Sequence, residues 1–224
     1  MSNGYKVKTL DLGRLNCSDG YNPLAYLREE EDVTRFGRFL LDNEGPMGQM
    51  DQLDSDPFVQ RLKLVLLNAC ILYVLKHRPK EDQNFSSVMK LLRAAEVDEN
   101  NPNAKTVLDK LFEEVEREDP DSAALKQYRI FRLGSGRMAN IIAMRCLMGL
   151  NVFNLEKVDA FTKTDTLELD RMSQDKTVLF ILPSIQYDEF DLFADMLLFQ
   201  LSEIFHKGYT KYDNLTCWVP ILKN

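Results

Sequence analysis

The residues whose types and spacing suggest chemistry form a basic block in the second half of the chain. No acid lies between Asp121 and Glu156, and the five bases there are Lys126, Arg129, Arg132, Arg137 and Arg145. The preceding stretch, 80–121, carries twelve acids and six bases, a net charge of −6. A block of +5 beside one of −6 predicts a dipolar surface. Arginine and lysine there suit a phosphate backbone or an acidic partner, and intramolecular pairing with the acidic helices is the alternative.

The last part of this block predicts a narrow polar stripe on an otherwise apolar helix. A helix from Arg137 to Phe153 places Arg137, Asn140, Arg145 and Asn151 on one arc at about 100° per residue. The preceding helix is less regular, because apolar residues fall within or beside the arc of its three bases. The five bases are therefore the candidate residues for binding nucleic acid or an acidic partner.

No catalytic or metal-ligating motif accompanies the basic block. The phosphate loop GxxxxGK[ST] is absent, and the glycines of Leu133–Arg137 lack both a preceding strand and the Lys-Ser/Thr pair. The sequence also lacks HExxH, GxSxG and a cysteine with a plausible histidine partner. We therefore predict that this chain is not an enzyme by itself, with no catalytic residue, no nucleotide-binding residue, no metal site and no cofactor of its own.

Composition places the chain in the ordinary globular class. It has 224 residues, of which 45% are hydrophobic and 28% charged, and its formal net charge is −7. A net negative charge opposes sequence-blind phosphate binding over the whole surface, so any contact with nucleic acid must be local. The longest nearly unbroken apolar run, Leu64 to Leu75, is shorter than the roughly 18 residues that cross a bilayer, and no membrane span is expected.

The elements that must position the basic block are mostly helices. Apolar residues recur at helical spacing with clear capping and stop signals over 29–42, 56–75, 86–96, 102–118, 122–133 and 137–153. The helix that begins at Asp56 and Pro57 is apolar on almost every face, which predicts that it lies at the centre of a bundle. Asn68 within it is expected to be a hydrogen-bonded core amide.

The two ends of the chain predict a small α/β portion. Tyr5–Leu10 has strand character, and Thr177–Leu182 is a continuous apolar run that predicts a strand buried on both faces of a sheet. A helix follows, and Cys217–Leu222 predicts an edge or incomplete strand. The expected fold is mainly α, a multi-helix all-alpha domain with a residual α/β portion built from the N-terminal strand and the C-terminal strand-helix-strand. The expected domains are 1–28, 29–172 and 173–224, with the helical block inserted into an α/β domain.

Four segments resemble a known family. Ser18–Leu27, Ser55–Phe58, Gln83–Val97 and Leu125–Tyr128 are similar to the coupling proteins of type IV secretion and conjugation. The similarity is greatest to the branch found in conjugative elements of Gram-positive bacteria. It runs in order over nearly the whole chain, and Gln83–Val97 is its most specific part.

This resemblance implies a fold and a setting. Members of the family are membrane-anchored ATPases, expected to be homo-hexamers that use ATP and Mg. An all-helical domain interrupts their RecA-like nucleotide-binding domain, and residues 1–28 and 173–224 resemble pieces of the latter. The phosphate loop that the family has upstream, the Asp-Glu pair expected just after the final strand and the membrane helices are all missing from this sequence. No catalytic residue can therefore be transferred.

The resemblance also implies a function. The helical domain is expected to recognise substrate, recruiting relaxase and single-stranded DNA cargo for passage to the components of the secretion channel. It would be a cytoplasmic part of a protein anchored at the bacterial cell membrane. The basic block from Lys126 to Arg145 would make the contact. The alternative is a protein-only docking module for relaxase, neighbouring subunits or channel components, without direct DNA contact. An independent enzyme with an unrecognised site is a third hypothesis.

Overall fold

The computed structural model describes residues 4–45, 52–97, 101, 104–134, 136–172 and 174–208. These residues form two strands and eight α-helices. The strands are β1 (Lys6–Asp11) and β2 (Thr177–Leu182), and the helices are α1 (Glu30–Asp42), α2 (Pro57–His77), α3 (Phe85–Arg93), α4 (Val107–Glu118), α5 (Ala123–Arg132), α6 (Arg137–Gly149), α7 (Glu156–Lys163) and α8 (Asp191–Gly208).

The two strands pair with each other although most of the chain lies between them. They are parallel, in a register that runs from Lys6 opposite Thr177 to Asp11 opposite Leu182. Parallel neighbours require a crossover connection, and here α1 to α7 all lie within that crossover. The helices therefore form a body that stands between two adjacent strands of one sheet. This is the arrangement expected for an insertion in an α/β domain.

Helix α2 lies at the centre of this helical body, as its apolar sequence predicts. Asp56 caps its start by accepting a hydrogen bond from the Phe58 amide at 2.7 Å, and Pro57 occupies the first turn, where no amide donor is needed. The Gln83 side chain closes its other end by donating to the Leu75 carbonyl at 2.9 Å. Helices α1, α3, α5 and α6 all pack on α2.

Within the part of the chain that the structure describes, α2 is the one helix long and apolar enough to cross a membrane. About two thirds of its most apolar stretch, 67%, is buried by the other helices. A core helix of a globular domain has the same length and composition. Packing on several sides thus accounts for the apolar residues of α2.

The connections between sheet and body are tied to each other in a neck formed by residues 19–22 and 164–168. The Gly20 carbonyl accepts hydrogen bonds from the amides of Thr166 (2.8 Å) and Leu167 (3.1 Å). Asp19 accepts from the Thr166 hydroxyl at 3.0 Å and from the Thr9 amide of β1 at 2.8 Å. A Cβ at Gly20 would lie 2.7 Å from the Thr164 carbonyl oxygen, so this approach requires glycine. The two connecting segments are therefore joined to each other by hydrogen bonds.

Helix α8, which follows β2 in the chain, packs against the helical body. The ring of Phe193 packs edge-on against Phe153 and Phe161, with centroids 5.6 and 5.5 Å away. The buried Gln200 accepts a hydrogen bond from the Tyr21 hydroxyl at 2.6 Å and donates to the Pro23 carbonyl at 2.8 Å. The segment after β2 therefore helps to hold the helices in place.

The mainly α fold with a small α/β portion is confirmed, and most helix boundaries agree within a few residues. The predicted helix over 137–153 ends at Gly149 and is followed by a short 3-10 turn at Asn151–Asn154. The helix predicted over 102–118 begins at Val107, because Thr106 and Asp109 form a reciprocal cap there. Residue 102 and the strand predicted at Cys217–Leu222 lie outside the described residues. The domain division at 1–28, 29–172 and 173–224 stays a prediction.

The prediction that Thr177–Leu182 is buried on both faces is wrong. Leu179 and Ile181 pack against the core, whereas Phe180 is 51% exposed and Leu182 is 41% exposed. Val7 of β1 is also exposed on that side. Among the described residues the sheet has only two strands, and only one of its faces packs against the core. An apolar sequence therefore leaves one apolar face in contact with solvent.

Candidate functional site

Helices α5 and α6 carry all five of the basic residues singled out by the sequence. The buried face of α5 consists of Ala124, Leu125, Tyr128 and Phe131, and it packs along α2. The Tyr128 ring stacks on Phe112 of α4 with the centroids 4.0 Å apart. These contacts fix the rotation of α5, so that Lys126 and Arg129 point away from the core.

Two of the arginines on α5 are paired with the neighbouring acidic helix. Arg129 forms an ion pair with Glu116 of α4, and both side chains are about half exposed. Arg132 forms a less exposed ion pair with Asp109, with Nε 3.0 Å from Oδ1. The same Asp109 oxygen accepts a hydrogen bond from the Tyr128 hydroxyl at 2.9 Å. The intramolecular pairing considered as an alternative is therefore present at these two positions.

Tyr128 is held as a hydrogen-bond donor by its surroundings. Burial is the main cause that raises its pKa, and the negative charge of Asp109 raises it further. The hydroxyl thus stays protonated at physiological pH and keeps its bond to the carboxylate. This contact stabilises the α4–α5 packing beneath the exposed bases.

Arg145 is turned toward the interior, away from the exposed bases. It forms an ion pair with Asp54, and the two side chains are only 13% and 3% exposed. Asn140 of the predicted polar stripe accepts a hydrogen bond from the Val97 amide at 3.5 Å. Asn151 lies beyond the end of α6 and accepts one from the Asn154 side chain at 3.0 Å. Most of the stripe thus contributes to contacts within the protein.

Lys126 and Arg137 remain exposed and form no ion pair with any residue that the structure describes. Lys126, Arg129, Ile130 and Leu133 recur at helical spacing along the outer face of α5, and Leu133 is 83% exposed. We call Lys126, Arg129, Ile130, Leu133 and Arg137 the basic face. It combines cationic groups with apolar side chains, a combination able to contact phosphates together with bases or an acidic protein.

The α5–α6 junction places Arg137 at the first position of α6. Gly136 has a φ of +65°, a conformation that favours glycine, and it precedes the helix directly. Gly134 packs so closely on α2 that a Cβ there would lie 3.3 Å from Leu62 Cδ1. The glycines therefore separate the two helices and hold the junction against the core.

The sequence did not reveal a buried ion pair between Glu44 and Lys63. Both side chains have no exposed area, and Lys63 Nζ lies 2.5 Å from Glu44 Oε2. Burial raises the pKa of Glu44 to about 7, although Lys63 opposes the shift. The other oxygen, Oε1, lies against Gly149 of α6 and has no hydrogen-bond partner among the described residues. The signal available in the sequence was the position of Lys63 in the mostly apolar helix α2, where a buried lysine needs an acidic partner.

Asn68 partly fits its predicted role. The residue is 2% exposed, and its Nδ2 donates to Thr34 Oγ1 of α1 at 3.4 Å. Its Oδ1 has no hydrogen-bond partner among the described residues. A Cβ at Gly37 would lie only 2.5 Å from this oxygen. This amide therefore marks the close approach of α1 and α2.

Comparison with known protein families shows which family this chain belongs to. The family model described as type IV secretory system conjugative DNA transfer matches residues 1–216. The chain belongs to this conjugative DNA-transfer family. The family resemblance stated from the sequence is thus confirmed, and the protein takes part in conjugative DNA transfer by type IV secretion. A search of curated proteins finds no match.

Membership in the conjugative DNA-transfer family gives context to the geometry. Coupling proteins of type IV secretion are membrane-associated. The family match extends from β1 through the helical body to beyond α8, so the two paired strands and the helices between them belong to one family unit. The family match does not test the five basic residues, and their role as a binding site stays a prediction.

Proposed function

We propose that the helical body recruits cargo, a relaxase with its attached single-stranded DNA, for transfer through the secretion channel. The observation that carries this proposal is the basic face, where Lys126, Arg129 and Arg137 are exposed beside two apolar side chains. The body that bears it stands between adjacent strands on a tied neck. Cargo bound there would be held at a fixed position relative to the sheet.

The charge of this surface sets the scale of the expected DNA affinity. Three cations that each contact a phosphate give a slope of about −2 in log K against log salt for a single strand, hence about a 15-fold loss between 50 and 200 mM salt. A net charge of −7 repels DNA from the remaining surface. Binding should therefore be local, modest and strongly dependent on salt.

A labelled single-stranded oligonucleotide titrated at both salt concentrations tests the DNA part of the proposal. Replacing Arg129 and Arg137 with glutamate should abolish most of the binding. Lys90→Glu is the matched control, because Lys90 is exposed on α3 and carries the same charge outside the basic face. Equal affinities of the wild type and the Arg129→Glu, Arg137→Glu variant would overturn direct DNA contact.

A second candidate function is protein-only docking of the relaxase, a neighbouring subunit or a channel component. The ion pairs of Arg129, Arg132 and Arg145 favour it, because they reduce the positive charge available to a phosphate backbone. Capture of relaxase that survives nuclease treatment and is unaffected by Arg137→Glu would support this function. Capture that is lost after nuclease treatment would exclude it.

The wider setting is also part of the proposal. The longer assembly would be a homo-hexameric ATPase that uses ATP and Mg, with this region on the cytoplasmic side of the membrane. The chain itself would not hydrolyse nucleotide, since its sequence has no phosphate loop. A thermal shift produced by ATP and Mg with the purified chain would contradict this part.

A further inference from the structure

A wide groove lies at the end of the helical body where α1 begins, α2 ends and α5 begins. Its volume is about 1000 Å³ and it is open to solvent. Leu72 and Leu75 of α2 and Ala123 of α5 give it an apolar wall. None of the five predicted basic residues lines it. The groove is thus a surface distinct from the basic face.

The rim of this groove is acidic. Five acids and three bases line it, namely Glu29, Glu30, Glu31, Asp119 and Asp121 against Arg28, Lys76 and Lys80. Two of the bases are already engaged, Lys76 with Asp119 and Arg28 with Asp170. Among the described residues, Glu30, Glu31 and Asp121 form no ion pair. The groove therefore has carboxylates available for an external cation.

A buried hydroxyl in the groove wall gives an independent indication of a ligand. Ser122 lines the groove and is 2% exposed, and its Oγ has no hydrogen-bond partner among the described residues. It stands at the cap position of α5 without making the usual side-chain cap. The first-turn amides of α5 likewise lack an intrahelical acceptor. A buried hydroxyl that lacks a partner is costly, and a ligand with a polar backbone would satisfy it.

We propose that this groove binds an extended, basic segment of a partner protein. Lysine or arginine side chains of the segment would pair with Glu30, Glu31 and Asp121, and its backbone carbonyls would accept hydrogen bonds from Ser122 and the first turn of α5. The apolar wall would cover the aliphatic stems of the basic side chains. A nucleic acid is disfavoured here, because the rim carboxylates repel phosphates.

The inference rests on the proposed function only for the source of the segment, which would be the cargo protein. Binding itself is tested with a synthetic peptide that alternates arginine and alanine, labelled with a fluorophore and titrated into the full chain by anisotropy. The matched peptide has glutamine at each arginine position. We expect salt-sensitive binding of the arginine peptide and none of the glutamine peptide.

Variants locate the site. Replacing Glu31 and Asp121 together with lysine should weaken peptide binding at least about tenfold, because two attractive charges become repulsive. Glu114→Lys is the control, since Glu114 is an exposed acid of α4 that does not line the groove. Equal weakening by the control, or unchanged affinity in the double variant, would overturn the proposal.

Ser122→Ala separates a ligand contact from a structural cap. If Ser122 contacts the peptide, the variant should lose peptide affinity about threefold or more while its thermal midpoint is equal to or higher than that of the wild type, because the hydroxyl is buried without a cap bond in the free protein. A lowered midpoint with unchanged affinity would assign the residue a structural role and contradict this part of the site.

The same proteins also distinguish the two proposals from each other. Loss of peptide binding in the groove variant with oligonucleotide binding retained would support a separate peptide site. Peptide binding without any capture of oligonucleotide or relaxase would support the peptide groove and overturn the proposed function. Oligonucleotide binding without peptide binding would support the proposed function and overturn the peptide groove.

Discussion

The buried pair of Glu44 and Lys63 gives the sharpest prediction about stability. Both side chains are fully buried, so removal of one partner leaves an uncompensated charge in the interior. Lys63→Met should therefore cost about 3–5 kcal/mol of unfolding free energy. Replacing both residues with methionine removes both charges and keeps most of the volume. The double variant should fall within about 1–2 kcal/mol of the wild type or exceed it.

Urea unfolding followed by circular dichroism measures these differences, and a second measurement uses pH. The folded-state pKa of Glu44, about 7, lies above its ordinary value of 4.5. The folded state therefore binds a proton more tightly, and this contribution to stability is present below the ordinary pKa and lost as pH rises through the folded one. Without Lys63 the ionised form of the Glu44 carboxyl is disfavoured further, and its pKa rises. Lys63→Met should thus recover part of its loss between about pH 8 and pH 5.

The double methionine variant controls the pH measurement, because it has no titrating group at residue 44. Its stability should lack the gain at lower pH that Lys63→Met shows relative to it. A cost below about 1 kcal/mol for Lys63→Met would refute the reasoning, since it would show that water reaches the pair. A double variant as unstable as Lys63→Met would also refute it.

Three further substitutions probe contacts that the fold requires. Gly149→Ala should destabilise by about 1–3 kcal/mol, because its Cβ would overlap the Glu44 carboxylate, and unfolding in a Glu44→Ala background should show the cost disappear. Tyr128→Phe should cost about 1–3 kcal/mol, because it leaves the buried Asp109 one donor short, and an equal urea midpoint would contradict the contact. Gly20→Ala should lower the thermal midpoint by several degrees, because the Cβ would meet a backbone carbonyl in the neck; an unchanged midpoint would show that the neck can adjust.

Local sequence signals predicted the helices better than the surface. Asp56 with Pro57 located the start of α2, and the apolar faces of α2 predicted its central position. Those signals act within one or two helical turns, so they depend little on tertiary structure. The parallel pairing of β1 with β2 needed the fold, because partners so far apart in sequence leave no local trace.

The candidate site shows why charge alone predicts a surface poorly. The sequence correctly showed a basic block next to an acidic one, but Arg145 faces Asp54 from a distant loop. A helical pattern gives the direction of a side chain around its axis and says nothing about which loop covers it. Glu44 and Lys63 were missed for the same reason. Only the α5 residues, placed beside α4 by a short connection, had partners that sequence proximity suggested.

Helix α5 links the two proposed surfaces physically. Its first turn, at Ser122 and Ala123, lines the acidic groove, and its outer face from Lys126 to Leu133 forms most of the basic face. The helix packs along α2, so its two ends hold a fixed relation to each other. The proposed cargo, a relaxase with its attached DNA, would present a protein segment and a phosphate backbone at once. Two surfaces of opposite charge on one rigid helix would bind these two parts together, and neither surface alone would distinguish such cargo from free DNA or free protein.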